Sequence, residues 1–195
     1  MKKGGCTVKA TGIVRRIDDL GRVVVPKEIR RTLRIREGDP LEIYVEHGGE
    51  IILKKYSPVN ELGDFAREYC DSLFESSGHI ALIADREQIV AASGAGKKDF
   101  LHQPIGSVVE TVMEGRRTEL WNNLSEAKQV RLAPVQTEAD APLGVLSQVL
   151  SPIIVEGDAI GAVILCTRQP GIMMGDIESK LTETAAGFLS KQMSQ

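Results

Sequence analysis

The chain has 195 residues, of which 42% are hydrophobic and 26% charged, with a formal net charge of -3. Those values suit a folded globular protein of one medium or two small domains and exclude a disordered one. No apolar run approaches the length of a membrane span and no signal peptide precedes the first charged segment. Cys6, Cys70 and Cys166 are widely separated, with no CxxC pair. A disulfide framework, a zinc knuckle or another metal site is therefore not expected, and a reducing cytoplasm is.

The net charge conceals an asymmetry. Residues 1–56 hold thirteen Lys/Arg against eight Asp/Glu, a balance of +5, whereas residues 57–195 hold eleven against nineteen, a balance of -8. A small basic module joined to an acidic body points to a polyanionic partner for the front end alone.

Residues 1–8 lack periodicity and read as a flexible arm. Val8 stands directly before the patterned segment, where an alternative GTG start would place it. From Lys9 to Ile17 the pattern is that of a strand, followed by a tight turn at Asp18-Asp19-Leu20-Gly21 and a second strand from Arg22 to Val25. Gly21 permits the positive φ that such a turn requires, and the valines favour extended backbone. Pro26 stops the strand and suits the start of a short helix with Ile29 and Leu33 on one face. "LEIYVEHGGEIILKKY" reads as a second hairpin closing at Gly48-Gly49. So few residues seldom bury a sufficient core unaided, which predicts that residues 9–56 share one core between two chains.

Tyr56-Ser57-Pro58 marks a junction, with Ser57 expected to cap a helix opened by Pro58. Leu62, Phe65, Ala66, Tyr69 and Leu73 recur at helical spacing up to a terminator at Gly78. "HIALIADR" and "QIVAASG" predict two strands joined at Asp85-Arg86-Glu87, and the stretch after Pro104 is mostly helical. Residues 133–147 lack a period and read as a mobile loop. "VLSPIIVEGDAIGAVILCT" predicts a hairpin turning at Glu156-Gly157-Asp158. Residues 176–193 form an amphipathic helix with Ile177, Leu181, Ala185 and Phe188 on one face, and its charged ends suit the helix dipole. Residues 57–195 are thus expected to form one domain. The apolar stripes of its first and last helices either cover its own sheet or pair with a second copy.

Signatures of catalysis fail on inspection. "SGAGKK" at 93–98 approaches a phosphate-binding loop, but Ala91 stands where the first glycine belongs and Lys98 where Ser or Thr is needed. His47, His79 and His102 show no metal-ligand spacing, and neither GxSxG nor HExxH occurs. No catalytic residue, metal or cofactor is assigned, and the protein is expected not to be an enzyme.

The arginines differ in kind. Arg15 and Arg16 occupy adjacent positions before the turn, Arg22 follows it, and Arg30 and Arg31 sit on the short helix. Planar guanidinium donors match phosphate oxygens and guanine edges. Asp18, Asp19 and Glu28 compensate only partly.

"TGIVRRIDDLGRVVVPKEIRRTLRIREGDPLEIYV" with "EIILKKY" resembles, almost residue for residue, the swapped-hairpin DNA-binding domain of the AbrB family of bacterial transition-state regulators. The remainder, chiefly "SPIIVEGDAIGAVIL", is similar to a GAF domain. The resemblance implies an α+β protein. An N-terminal β domain over residues 9–56 is interlocked between two chains, and a GAF-like domain over 57–195 has an antiparallel sheet and flanking helices. It implies contacts with double-stranded DNA from Arg15, Arg22, Arg30 and Arg31, with Lys9 and Arg16 as helpers. It further implies a cytoplasmic regulator, activator and repressor, of sporulation genes in the forespore. The protein would dimerise through the N-terminal domain and form tetramers through the GAF helices, and it would sense an unidentified small molecule. No membrane is involved. The same fold serves MazE-type antitoxins, which bind a toxin through a C-terminal tail; the long folded segment after residue 57 argues against that alternative.

Overall fold

A computed structural model describes residues 13–33, 35–46, 48–57, 59, 63–136 and 142–194. Lys9, the Val8 start, Pro58 and Leu62 lie outside the described residues. The chain divides into two units, Met1–Tyr56 and Ser57–Gln195.

In the first unit the predicted turn is present. The Gly21 amide donates to the Asp18 carbonyl and the Asp18 amide to the Arg22 carbonyl, both at 3.0 Å, with Gly21 at φ 78°. Helix α1, Lys27–Thr32, follows Pro26. Strands β1 (Leu41–Val45) and β2 (Ile51–Lys55) pair antiparallel, with Leu41 opposite Lys55 and Val45 opposite Ile51. Of the strands expected over 9–17 and 22–25, the described parts, residues 13–17 and 22–25, carry no ladder. A strand exists only with a partner for its amides and carbonyls, and β1 and β2 already satisfy each other.

The apolar side chains tell the same story. Among the described residues of this unit only Pro26 is buried. Val14 is 87% exposed and Val45 75%, and Ile17, Val24, Ile43 and Ile51 are exposed as well. Each such side chain contributes about 1.5–3 kcal/mol when fully buried, so a single chain leaves its main source of stability unused. A fragment of residues 1–56 is therefore expected to fold only as a dimer, with a thermal midpoint that rises with protein concentration. A midpoint unchanged over a hundredfold dilution would show that one chain closes its own core.

The second unit is built on a five-stranded antiparallel sheet. Its elements in chain order are α2 (Gly63–Ser77), β3 (Ile80–Asp85), β4 (Ile89–Ser93), α3 (Ser107–Gly115), β5 (Glu119–Trp121), α4 (Glu126–Arg131), β6 (Ser147–Val155), β7 (Asp158–Thr167) and α5 (Asp176–Met193). The strand order is β4-β3-β7-β6-β5. β3 is buried along its whole length, as a central strand covered on both faces must be. One face packs against α2 and α5 through Ala81, Ile83, Val149, Val163, Leu165, Ala185 and Leu189. The other packs against α3 and the connections beside it through Leu82, Phe100, Ile105, Val109, Leu150 and Ile164. The protein is thus α+β, with an antiparallel sheet flanked by helices.

The β6–β7 hairpin turns at Glu156 and Gly157, both at positive φ, which matches the right-handed twist of the strands it joins. Gly161 lies opposite Asp85 in the β3–β7 ladder. A Cβ built on it would stand 2.2 Å from the Ala84 carbonyl oxygen and 3.2 Å from Val59 Cγ2. At α5 the Gly175 amide donates to Glu178 Oε2 at 2.7 Å, and His79 lies 3.7 Å from the same carboxylate. Burial pushes the Glu178 carboxyl up, but the amide bonds and His79 outweigh it and hold the group below its ordinary value.

The helix expected after Ser57 is seen at Val59 and over Gly63–Ser77, and the Ser57 hydroxyl donates to Asp85 Oδ2 at 2.9 Å. Two expectations need correction. Residues 133–147 are not a mobile loop in their described parts. Ala133, Val135 and Val145 are buried, the Gly106 amide bonds the Pro134 carbonyl, and the Leu146 amide bonds that of Thr167. Finally, β5 and α4 were not expected; three and six residues are too short to display a period.

Candidate nucleic-acid interface

The proposed contact residues cluster around one turn and one helix. Asp18 organises the turn: its Oδ1 accepts from the Leu20 amide at 3.0 Å and the Arg22 amide at 2.7 Å, and its Oδ2 accepts from Arg22 Nε at 2.8 Å. The Arg22 amide and guanidinium hold the Asp18 carboxyl below the usual carboxylate range. Asp18 therefore fixes the backbone on which Arg22 is mounted and the direction of its side chain. An Asp two residues before the turn's Leu and four before Arg22 is an Asx-turn signal, and charge counting alone read it merely as a compensating acid.

Arg15 and Arg16 precede this turn and are exposed, and Arg22 is exposed on its far side. Arg30 and Arg31 form the basic last turn of α1. Arg31 is exposed and Arg30 half-buried, and Arg30 Nε is buried without a hydrogen-bond partner among the described residues. The stretch from Arg15 to Arg31 thus presents five guanidinium groups, of which one is seen paired with an acid of its own turn.

In the second unit, the sheet face beside the β6–β7 hairpin is filled by apolar side chains, with one polar exception. Gln148 is fully buried among them; its Nε2 donates to the Leu132 carbonyl at 2.8 Å, while Oε1 has no partner among the described residues. A groove of about 530 Å³ runs between α2 and α5, lined by Tyr69, Leu73, Ile177 and Leu181. Beside it Tyr69 stacks on both Phe65 and Phe188, which are tilted against each other, with ring centroids 5.5–6.1 Å apart. Ile177 is 72% exposed, and Phe65 and Phe188 are exposed. The two helices thus cover the sheet with one face and show apolar side chains on another.

Residues 61–194 match the family described as stage V sporulation protein T C-terminal, transcription factor. Residues 14–61 match the family described as antidote-toxin recognition MazE, bacterial antitoxin. Stage V sporulation protein T of Bacillus subtilis (strain 168) is 54% identical over 188 residues, which span 96% of this chain and 100% of that protein. Transition state regulatory protein AbrB of the same organism is 65% identical over 51 residues, 26% of this chain and 52% of that one. Among solved structures, the GAF domain region of a membrane protein from Geobacter sulfurreducens PCA covers 69% of this chain and 93% of its own, with a TM-score of 0.53 at 16% identity. That likeness is one of fold. A basic AbrB-like module followed by a GAF-like body defines a two-domain transcription factor. The chain belongs to the stage V sporulation protein T family.

Proposed function

We propose that this protein is a DNA-binding regulator of sporulation genes, both activator and repressor, acting in the cytoplasm of the forespore. Arg15, Arg22, Arg30 and Arg31 from each of two chains contact duplex DNA, with Arg16 and Lys9 assisting. The observation that carries this reading is the placement of five arginines on one turn and one helix of the only basic unit. The relative named AbrB, described as a transition state regulatory protein, supports it over the same stretch. An antitoxin role is less supported, because the relationship to the sporulation protein extends through residues 61–194. No catalysis is assigned. Fluorescence anisotropy of the full chain on duplex promoter DNA tests the reading; retention of a small toxic protein in place of DNA would favour the antitoxin alternative.

The acidic unit serves assembly and sensing. Two dimers join through the exposed apolar face of α2 and α5, and a small molecule bound to this unit acts by favouring one arrangement over another. Replacing Phe65 and Phe188 together by serine is expected to halve the native mass from tetramer to dimer, as read by native mass spectrometry. A tetramer that survives both substitutions would place the second interface elsewhere.

A further inference from the structure

The chain is fastened to the second unit before α2 begins. Ser57 Oγ donates to Asp85 Oδ2 at 2.9 Å. Two residues on, Val59 is fully buried in the cluster beneath α2 and α5. Asp85 is itself only 5% exposed. Its Oδ1 accepts from the amides of Glu87 at 2.7 Å and Gln88 at 2.8 Å, and its own amide donates to the Gln88 carbonyl at 3.0 Å. One buried carboxylate therefore holds the incoming linker with one oxygen and the β3–β4 turn with the other.

The turn is bonded onward. The Ile105 amide donates to the Glu87 carbonyl, the Gly106 amide to the Pro134 carbonyl, and the Gln136 amide to the Pro104 carbonyl, each at 2.9 Å. Ile105 also bridges Val135. The segment 102–106 leads directly into α3, and residues 133–136 lie against it. Both cover the apolar face of the sheet opposite α2 and α5. An unbroken series of hydrogen bonds thus runs from the linker at Ser57, through Asp85, to the segments on the far side of the sheet.

We infer that Asp85 is a latch that couples the interdomain linker to these covering segments. A ligand or a packing change that shifts 102–106 or 133–136 moves the β3–β4 turn, and with it the carboxylate that Ser57 needs. By reciprocity, restraint of the linker steadies those segments. Val59, buried against apolar neighbours, is the fixed anchor. The Ser57–Asp85 hydroxyl–carboxylate bond is the part that opens. The regulatory half of this inference rests on the reading that the second unit controls DNA binding; the mechanical half does not.

The test uses the full chain with Ser57→Ala, which removes one hydroxyl, and Ser57→Thr, which keeps it. Amide hydrogen exchange in Ser57→Ala should rise about fivefold, the factor one net hydrogen bond is worth, at Glu87 and Gln88 and also at Ile105, Gly106 and Gln136. Ser57→Thr should restore it. DNA affinity should change by at least about twofold, the lower bound for substitutions along a coupled network. Exchange that rises only at Glu87 and Gln88, or nowhere, overturns the latch. Propagated exchange with unaltered DNA affinity overturns its regulatory half. If the unsubstituted chain fails to bind duplex DNA, the functional reading falls while the exchange measurement still decides the latch.

Discussion

Replacing Arg15, Arg22, Arg30 and Arg31 together by alanine should weaken binding of the full chain to duplex promoter DNA by about 10³-fold or more, since each contact of this kind costs about 1–3 kcal/mol and the four compound. The fold should survive, because three of the four are exposed and none contributes to a buried cluster. Arg22 should behave differently from the rest. Its guanidinium is bound to Asp18 Oδ2, so Arg22→Ala removes a DNA contact and also frees the carboxylate that shapes the turn, whereas Arg15→Ala and Arg31→Ala remove a contact alone. Anisotropy on the four single variants separates these effects. Unchanged affinity in the quadruple variant would show that the arginines face solvent for another reason.

Gly161→Ala carries a large expected cost in stability. The added methyl group would stand 2.2 Å from the Ala84 carbonyl oxygen, inside a ladder between two central strands, where neither backbone can withdraw. The flexible side of the contact, Val59, is itself fully buried. A loss of about 3 kcal/mol, the upper end of ordinary overpacking costs, is expected for the second unit. Denaturant unfolding measures it, followed by a probe within that unit such as Trp121. A variant as stable as the original would mean that β3 and β7 are spaced more widely than the structure has them.

Much of this architecture was legible in the sequence, for identifiable reasons. The β6–β7 hairpin announced itself through long apolar runs on either side of Glu156-Gly157-Asp158, and the structure turns at those residues. The α5 helix was visible from its spacing and charged ends. The first unit was legible in a less direct way. The described residues 13–17 and 22–25 have strand patterning that a single chain does not satisfy, and their exposed valines and isoleucines show why: the pattern encodes partners from outside the chain. What escaped was chemistry that depends on distant residues meeting. Nothing local shows that Ser57 reaches Asp85, 28 residues away, or that His79 approaches Glu178. Residues 133–147 read as mobile because their composition lacks a period, yet Val135 and Val145 are held by the sheet face they cover. The candidate site was the most legible feature, since a concentration of arginine within an acidic chain needs no tertiary structure to be seen.

The central claim is that a basic unit, completed by two chains, grips the DNA backbone with arginines. The salt dependence of full-chain binding to duplex DNA tests it most directly, because each neutralised phosphate adds about 0.9 to the steepness of log K against log salt. Two chains presenting four arginines each predict a slope of about -3.6 or steeper, since at least four of those side chains should meet phosphate. A slope clearly shallower than about -3.6, or no binding at low salt, would contradict the account.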